Sequence, residues 1–212
     1  MSVTGVALIL FLTFHMSMNI AALFSEEAYN MICEFLGANW YALVATLGLA
    51  ALAVIHILYA FWLTMQNRKA RGSERYAVTT RPAGVEWASQ NMLVLGIVIV
   101  LGLLLHLFNF WYNMMFAELT GIAVAHDPAD GYAYIQDTFA CPVYVVLYIV
   151  WLAALWFHLS HGFWSAMQTF GWNGKTWFCR WKVIGIVYST FLCLGFLVVV
   201  LWFAAKGLCG CC

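Results

Sequence analysis

LWFHLSHGFWSAMQ, residues Leu155–Gln168, combines two histidines with a long apolar segment. It ends an apolar run, Cys141–Met167, that carries no charged residue and is long enough to cross a bilayer. His158 and His161 lie inside this run, at a depth where an unsatisfied imidazole is costly. Three further apolar runs carry one histidine each: His15, His56 and His106. A group that satisfies these ring nitrogens is therefore expected within the membrane.

The composition agrees with a membrane protein. Of 212 residues, 65% are hydrophobic and 8% are charged, which is more apolar surface than a soluble domain of this size can hide. Five uncharged runs each reach about 20 residues, the length that spans roughly 30 Å of hydrocarbon as a helix. They are Val3–Phe24, Tyr41–Met65, Asn91–Phe116, Cys141–Met167 and Val183–Ala205. Because lipid cannot satisfy an open sheet edge, we predict one all-α membrane domain over residues 1–212, a bundle of five transmembrane helices.

The distribution of charge predicts an orientation. The loops Gln66–Glu86 and Thr169–Lys182 fall on one side of the bundle and hold eight of the nine Lys and Arg residues. Seven of the nine carboxylates fall on the other side. The positive-inside rule makes the basic side cytoplasmic, so the amino terminus is expected inside and the carboxy terminus outside. Val3–Phe24 has no basic leader or small-residue cleavage site and is interpreted as a retained span.

The four single histidines predict two pairs at two depths. Each ring lies roughly 10–15 Å from a helix end at 1.5 Å per residue. The alternating direction of the spans puts His15 with His106 in the outer half of the membrane and His56 with His158 in the inner half. Two bis-histidine haems need this arrangement, and iron with two imidazole ligands has no open position, which favours electron transfer. We predict two non-covalent b-type haems, since the chain has no C-x-x-C-H.

Some assignments around these pairs stay open. A single intramembrane histidine is equally well explained by a hydrogen bond to a carbonyl, whereas four histidines paired by depth are not. His161 lies one turn beyond His158 and either competes with it as a ligand or bonds a haem propionate. His126, in the acidic loop, is interpreted as a loop histidine. We expect room for a macrocycle at small residues on the helices: Gly48, Ala60, Gly102 and Gly162.

Three segments carry a resemblance to a known family: FHLSHGFWSAMQTFGW (Phe157–Trp172), IHILYAFWLT (Ile55–Thr64) and LLLHLFNFWY (Leu103–Tyr112). They look like the cytochrome b membrane subunit of succinate:quinone oxidoreductases. The nearest type is the single-chain, five-helix, dihaem subunit of bacterial fumarate reductases and menaquinone-linked succinate dehydrogenases. The resemblance covers all five spans, and its most specific part is the histidine of the fourth span followed by Ser-x-Gly-x-Trp.

The resemblance implies a membrane subunit of an enzyme whose chemistry is divided among chains. A flavoprotein subunit with FAD would interconvert fumarate and succinate, and an iron–sulphur subunit would relay electrons. This chain would exchange electrons with menaquinone in the bacterial cytoplasmic membrane. His56 and His158 would hold the haem nearer the iron–sulphur subunit, and His15 and His106 the farther one. Partners would dock on the basic side, where the loop Gln66–Glu86 offers charge.

The resemblance also places a quinone site at the outer surface. Related dihaem subunits use a glutamate just past the first helix, and Glu34 is the nearest match here, with Glu26 and Glu27 as alternates. A carboxylate suits this role because it can accept a quinol proton as the electrons leave. Some relatives carry a second glutamate two residues before the ligand of the fourth span. This chain has Trp156 there, which argues against proton transfer by that route.

Two other function classes remain alternatives. One is a dihaem cytochrome b of a hydrogenase or formate dehydrogenase, which would also react with quinone. The other is a membrane transporter whose histidines are structural and bind no haem. In every case the surrounding partner is membrane lipid, and no nucleic-acid partner is expected.

Overall fold

The computed structural model describes residues 1–37, 39–71 and 86–209. These residues form helices joined by short turns, with no strand among them. Five helices are long and apolar enough to cross a membrane: Ser2–Leu23, Trp40–Ala70, Trp87–Thr120, Pro142–Thr169 and Lys175–Leu208. The predicted all-α bundle of five spans is confirmed, and the chain is a multi-pass membrane protein. Arg75 and Arg81 of the predicted basic loop lie outside the described residues.

The helices are α1 Ser2–Ile20, α2 Glu26–Phe35, α3 Trp40–Arg71, α4 Trp87–His106, α5 Ala117–Thr120, α6 Gly131–Ala140, α7 Pro142–Thr169 and α8 Lys175–Cys209. A 3₁₀ turn, Ala21–Leu23, extends α1, and a π-helix, Leu107–Phe116, joins α4 to α5. Several helices continue past the uncharged runs of the sequence. This is physically reasonable because Lys and Arg side chains reach water from a helix that is still partly in lipid.

Two short helices, α2 and α6, pack together at the end of the bundle that carries most carboxylates, which we call the acidic end. Ser25 caps α2 by accepting from Ala28 N at 3.2 Å. Asn30 on α2 donates to Asp130, the cap of α6, at 2.8 Å and accepts from Tyr132 N at 2.9 Å. These bonds hold the two helices as one cover over that end.

The best-packed part of the bundle lies between α7 and α8, which carry many of its buried residues. Leu192 and Phe203 of α8 are fully buried. By contrast α3, which packs chiefly against α1, has one buried residue in its described length, Ala42. Exposed apolar side chains on α3 carry little cost in a bilayer because lipid tails are as apolar as they are. The face of the bundle formed by α3 is thus packed less tightly against the other helices.

Candidate functional site

The four intramembrane histidines meet in two pairs. The ring centres of His15 and His106 are 5.7 Å apart, and those of His56 and His158 are 6.4 Å apart. Two imidazoles on one metal have ring centres roughly 6 Å apart, from two bonds of about 2 Å plus about 1 Å from each nitrogen to its ring centre. The structure therefore brings together the residues that the depth argument paired, while their role as ligands stays a prediction.

The two pairs lie at different levels along α1. Thr4 of α1 contacts His56, at 3.0 Å from Oγ1 to Nδ1, whereas His15 lies eleven residues further along the same helix. At 1.5 Å per residue this separates the two levels by about 16 Å. One pair is thus near the acidic end and the other near the opposite end, which we call the basic end because α8 begins there with Lys175, Arg180 and Lys182.

Unpaired nitrogens distinguish these pairs from ordinary ring contacts. In the described part of the chain, three buried side-chain polar atoms have no hydrogen-bond partner, and two of them are Nδ1 of His106 and Nδ1 of His158. An unsatisfied polar group in an apolar interior costs a few kcal/mol, roughly 2–7 by transfer measures. No group of three His, Cys, Asp or Glu residues is close enough to hold a bare metal ion within residues 1–37, 39–71 and 86–209. A cofactor that needs two imidazoles fits this set better.

Aromatic rings enclose the pair near the acidic end. His106 contacts the rings of Tyr148 and Trp151 at 6.3 and 5.6 Å, and His15 contacts Phe11 and Phe196 at 5.4 and 5.8 Å. These rings place apolar surface around both imidazoles, and an apolar shell of this kind tunes the properties of a bound metal group.

The π-helix begins directly after His106. Segments of this kind are rare, and they often lie at functional sites. The π-helix carries Asn109, which is buried and donates to the Tyr148 hydroxyl at 3.4 Å. Asn109 and Tyr148 therefore form a polar contact beside the histidine pair that sequence reasoning missed. Nothing in the apolar run around His106 distinguishes a π-helix from an α-helix.

The glycines expected to leave room for a macrocycle differ in whether a neighbouring side chain already fills the space beside them. A Cβ atom built at Gly162, one turn beyond His158 on the same helix face, would meet no atom within 4 Å, and the same holds at Gly48. Space therefore exists on α7 next to His158. The expectation for Gly102 is wrong, because the indole of Trp151 fills the notch that this glycine leaves.

His161 is engaged in a cluster that joins three helices at the basic end. Its Nδ1 lies 3.2 Å from Glu86, whose other carboxylate oxygen lies 2.8 Å from Lys182. Burial raises the pKa of Glu86, but the hydrogen bonds and charges of Lys182 and His161 outweigh it, and the net pKa falls below its ordinary value. No local pattern predicts that Glu86 pairs with His161, since the two residues lie 75 positions apart.

The predicted quinone-site base, Glu34, lies exposed on α2 at the acidic end, and Glu26 and Glu27 are exposed in the first turn of that helix. The carboxylate of Glu118 lies near the end of α2. A Cβ at Gly37 would lie 2.9 Å from Oε2 of Glu118, so Glu118 lies against the turn that follows α2. Sequence reasoning did not select it, because it is 84 positions from Glu34 along the chain.

A short chain of hydrogen bonds links α2 to α1 beside the backbone of His15. Asn19 donates to the carbonyl of His15 at 2.8 Å and accepts from the Tyr29 hydroxyl at 3.2 Å. Tyr29 is buried beside Cys33, and burial raises the pKa of both, that of Cys33 to about 11. Both groups are therefore protonated at neutral pH. They can hold protons in place but do not act as bases.

Two other residues singled out in the sequence, His126 and Trp156, each contact a polar side chain. Nε2 of His126, the loop histidine, lies 2.6 Å from Asp137. The indole of Trp156 donates to the Thr190 hydroxyl on α8 at 2.9 Å. Trp156 thus makes a neutral hydrogen bond between α7 and α8.

No family model, curated protein or solved structure matches the chain.

Proposed function

We propose that this chain is the cytochrome b membrane subunit of a quinone-linked respiratory enzyme. His15 with His106 and His56 with His158 would hold two b-type haems. The observation that carries the proposal is the meeting of four intramembrane histidines in two pairs, with Nδ1 of His106 and Nδ1 of His158 buried and unpartnered. When bound, the haems would supply electron transfer across the membrane between quinol and a partner subunit.

The residues around the pairs would orient the rings and exclude water. Phe196 and Trp151 pack against the pair near the acidic end. At that end a quinol must enter from lipid and release its protons to water, so its site belongs near the interface. Glu34 would accept a proton there, and Glu118 is a second carboxylate within the same region.

The most specific form of the proposal is a subunit of quinol:fumarate reductase or succinate dehydrogenase in the bacterial cytoplasmic membrane, with menaquinone as its substrate. The basic end would face the cytoplasm, by the positive-inside rule, and would receive the iron–sulphur subunit and the FAD-containing flavoprotein. The amino terminus would then be cytoplasmic. The support for this form is the resemblance to that family, which covers all five spans and is carried by the three quoted segments.

A haem assay tests the proposal. A pyridine haemochrome measurement on the purified full chain should give two haems b per polypeptide. His158→Ala and His56→Ala should each remove the same redox component, and His15→Ala should remove the other. Absence of haem would reject the cytochrome and leave the transporter alternative. A dihaem subunit of a hydrogenase or formate dehydrogenase gives the same count, so the cofactor of the co-purified partner, FAD in the succinate class, separates those two.

A further inference from the structure

The side chain of Thr4 makes two hydrogen bonds, one to the residue that caps α1 and one to α3. Its Oγ1 lies 2.8 Å from the carbonyl oxygen of Met1 and 3.0 Å from Nδ1 of His56. The carbonyl of Met1 also accepts from Gly5 N at 2.8 Å, which its two lone pairs allow. A Cβ at Gly5 would lie 3.6 Å from Cε1 of His56, so the imidazole lies flush against α1.

These distances decide where the protons are. A hydroxyl has one proton to donate, and a carbonyl can only accept, so the Thr4 proton is directed to Met1. The contact between Thr4 and His56 then needs its proton from the imidazole, which places an N–H at Nδ1. The opposite tautomer would turn the Thr4 proton to His56. It would leave the Thr4 and Met1 oxygens 2.8 Å apart with no proton between them.

From this network we infer that Thr4 is a positioning residue, which holds His56 in the tautomer with its proton on Nδ1 and its lone pair on Nε2. The inference rests on the proposed function, because it assigns Nε2 of His56 to the iron. Histidine ligands almost always donate their other ring N–H to an acceptor, which fixes the tautomer, orients the ring and raises its basicity. Thr4 is that acceptor for His56.

The matched variants are Thr4→Val, which keeps the shape of the side chain and removes the hydroxyl, and Thr4→Ser, which keeps the hydroxyl. Thr64→Val is the control, since Thr64 lies on α3 with His56 and its hydroxyl bonds only the carbonyl of Ala60, at 2.9 Å, among the described residues. Removing an outer partner of a metal-bound histidine weakens metal binding roughly ten- to hundred-fold. We expect this loss at the His56–His158 site for Thr4→Val, with Thr4→Ser and Thr64→Val close to the wild type.

Two measurements on the full chain in detergent test the inference. The first follows retention of each haem under competition with a haem-binding protein, together with the electron paramagnetic resonance signal of the ferric form, which reports ligand orientation. The second is a ¹⁵N nuclear magnetic resonance spectrum of the haem-free chain with labelled histidines, which reports the tautomer of His56 directly. An Nδ1–H tautomer that is lost in Thr4→Val and kept in Thr4→Ser supports the inference.

An unchanged tautomer and unchanged haem retention in Thr4→Val would overturn the inference. Failure of the proposed function has a different signature. In that case the wild-type chain binds no haem, whereas the ¹⁵N spectra still show whether Thr4 sets the tautomer of His56.

Discussion

Substitution of Gly102 by alanine should destabilise the bundle through a single side chain, Trp151. A Cβ at Gly102 would fall inside the indole of Trp151. The indole cannot simply retreat, because its Nε1 donates to the carbonyl of Ile99 at 3.0 Å and its ring lies 5.6 Å from that of His106. The methyl group must therefore push Trp151 out of both contacts.

The magnitude follows from three contributions. Overpacking of this kind costs about 1–3 kcal/mol. Loss of the bond from Trp151 to Ile99 adds about 0.5–1.5 kcal/mol. The higher helix propensity of alanine offsets about 0.5–1 kcal/mol of this. We expect Gly102→Ala to lower the free energy of unfolding by about 1–3 kcal/mol, measured by thermal or detergent unfolding of the purified chain.

Gly96→Ala is the matched control, because Gly96 lies on the same helix and a Cβ there would meet nothing within 4 Å. Its stability should equal or slightly exceed that of the wild type. Combining Gly102→Ala with Trp151→Leu should cost less than the sum of the two single changes, since the clash is then gone. Equal stability of Gly102→Ala and the wild type, or strict additivity in the double variant, would show that Trp151 does not fill the space beside Gly102.

Three further outcomes are expected. Under the proposed function, Glu34→Gln keeps the shape of the side chain and removes the proposed base, so quinol oxidation should slow while the spectra of the two proposed haems persist. A wild-type rate would exclude Glu34 as the base, and Glu26, Glu27 and Glu118 would be tested next. Glu86→Gln should lower the unfolding free energy by about 0.5–1 kcal/mol at neutral pH. Because the pKa of Glu86 is depressed in the folded state, this contribution is present above its ordinary value of 4.5 and should vanish as the pH falls through the folded pKa, so denaturation curves of variant and wild type should converge in acid. Asn30→Ala removes two bonds between α2 and α6 and should cost about 1–3 kcal/mol, seen as faster proteolysis of the acidic end.

The spans and the histidine pairs were predictable because both follow from one-dimensional rules. A helix that must cross roughly 30 Å of hydrocarbon needs a long uncharged run, and its direction alternates with each crossing. His15 and His106 lie at similar depths in their two runs, so their side chains can come into contact. The ends of the helices were less predictable. α3 continues to Arg71, six residues beyond the uncharged run, because a helix does not need an apolar sequence once it leaves the lipid.

Contacts between side chains distant in sequence were not predictable from any local pattern. Thr4 and His56 are 52 residues apart, and nothing in either segment marks the hydroxyl as a partner of the ring. The pairing of Glu86 with His161 depends on how α4 and α7 lie side by side. The start of α2 was easier to predict, since Ser25 followed by Glu26 and Glu27 is a helix-start signal that lies outside the apolar runs.

The length of α8 has a consequence for any protein that approaches the basic end. The helix begins at Lys175, but its uncharged run begins only at Val183. The first eight residues therefore extend it by about 12 Å beyond the hydrocarbon, more than the roughly 5–8 Å of one headgroup layer. Arg180 thus lies on a continuous helix, and its guanidinium lies over the ring of Trp177, at 5.3 Å from the ring centre. A partner protein that binds at this end would contact positive charges held in place by the helix. Binding there would cost less conformational entropy than binding to a flexible loop.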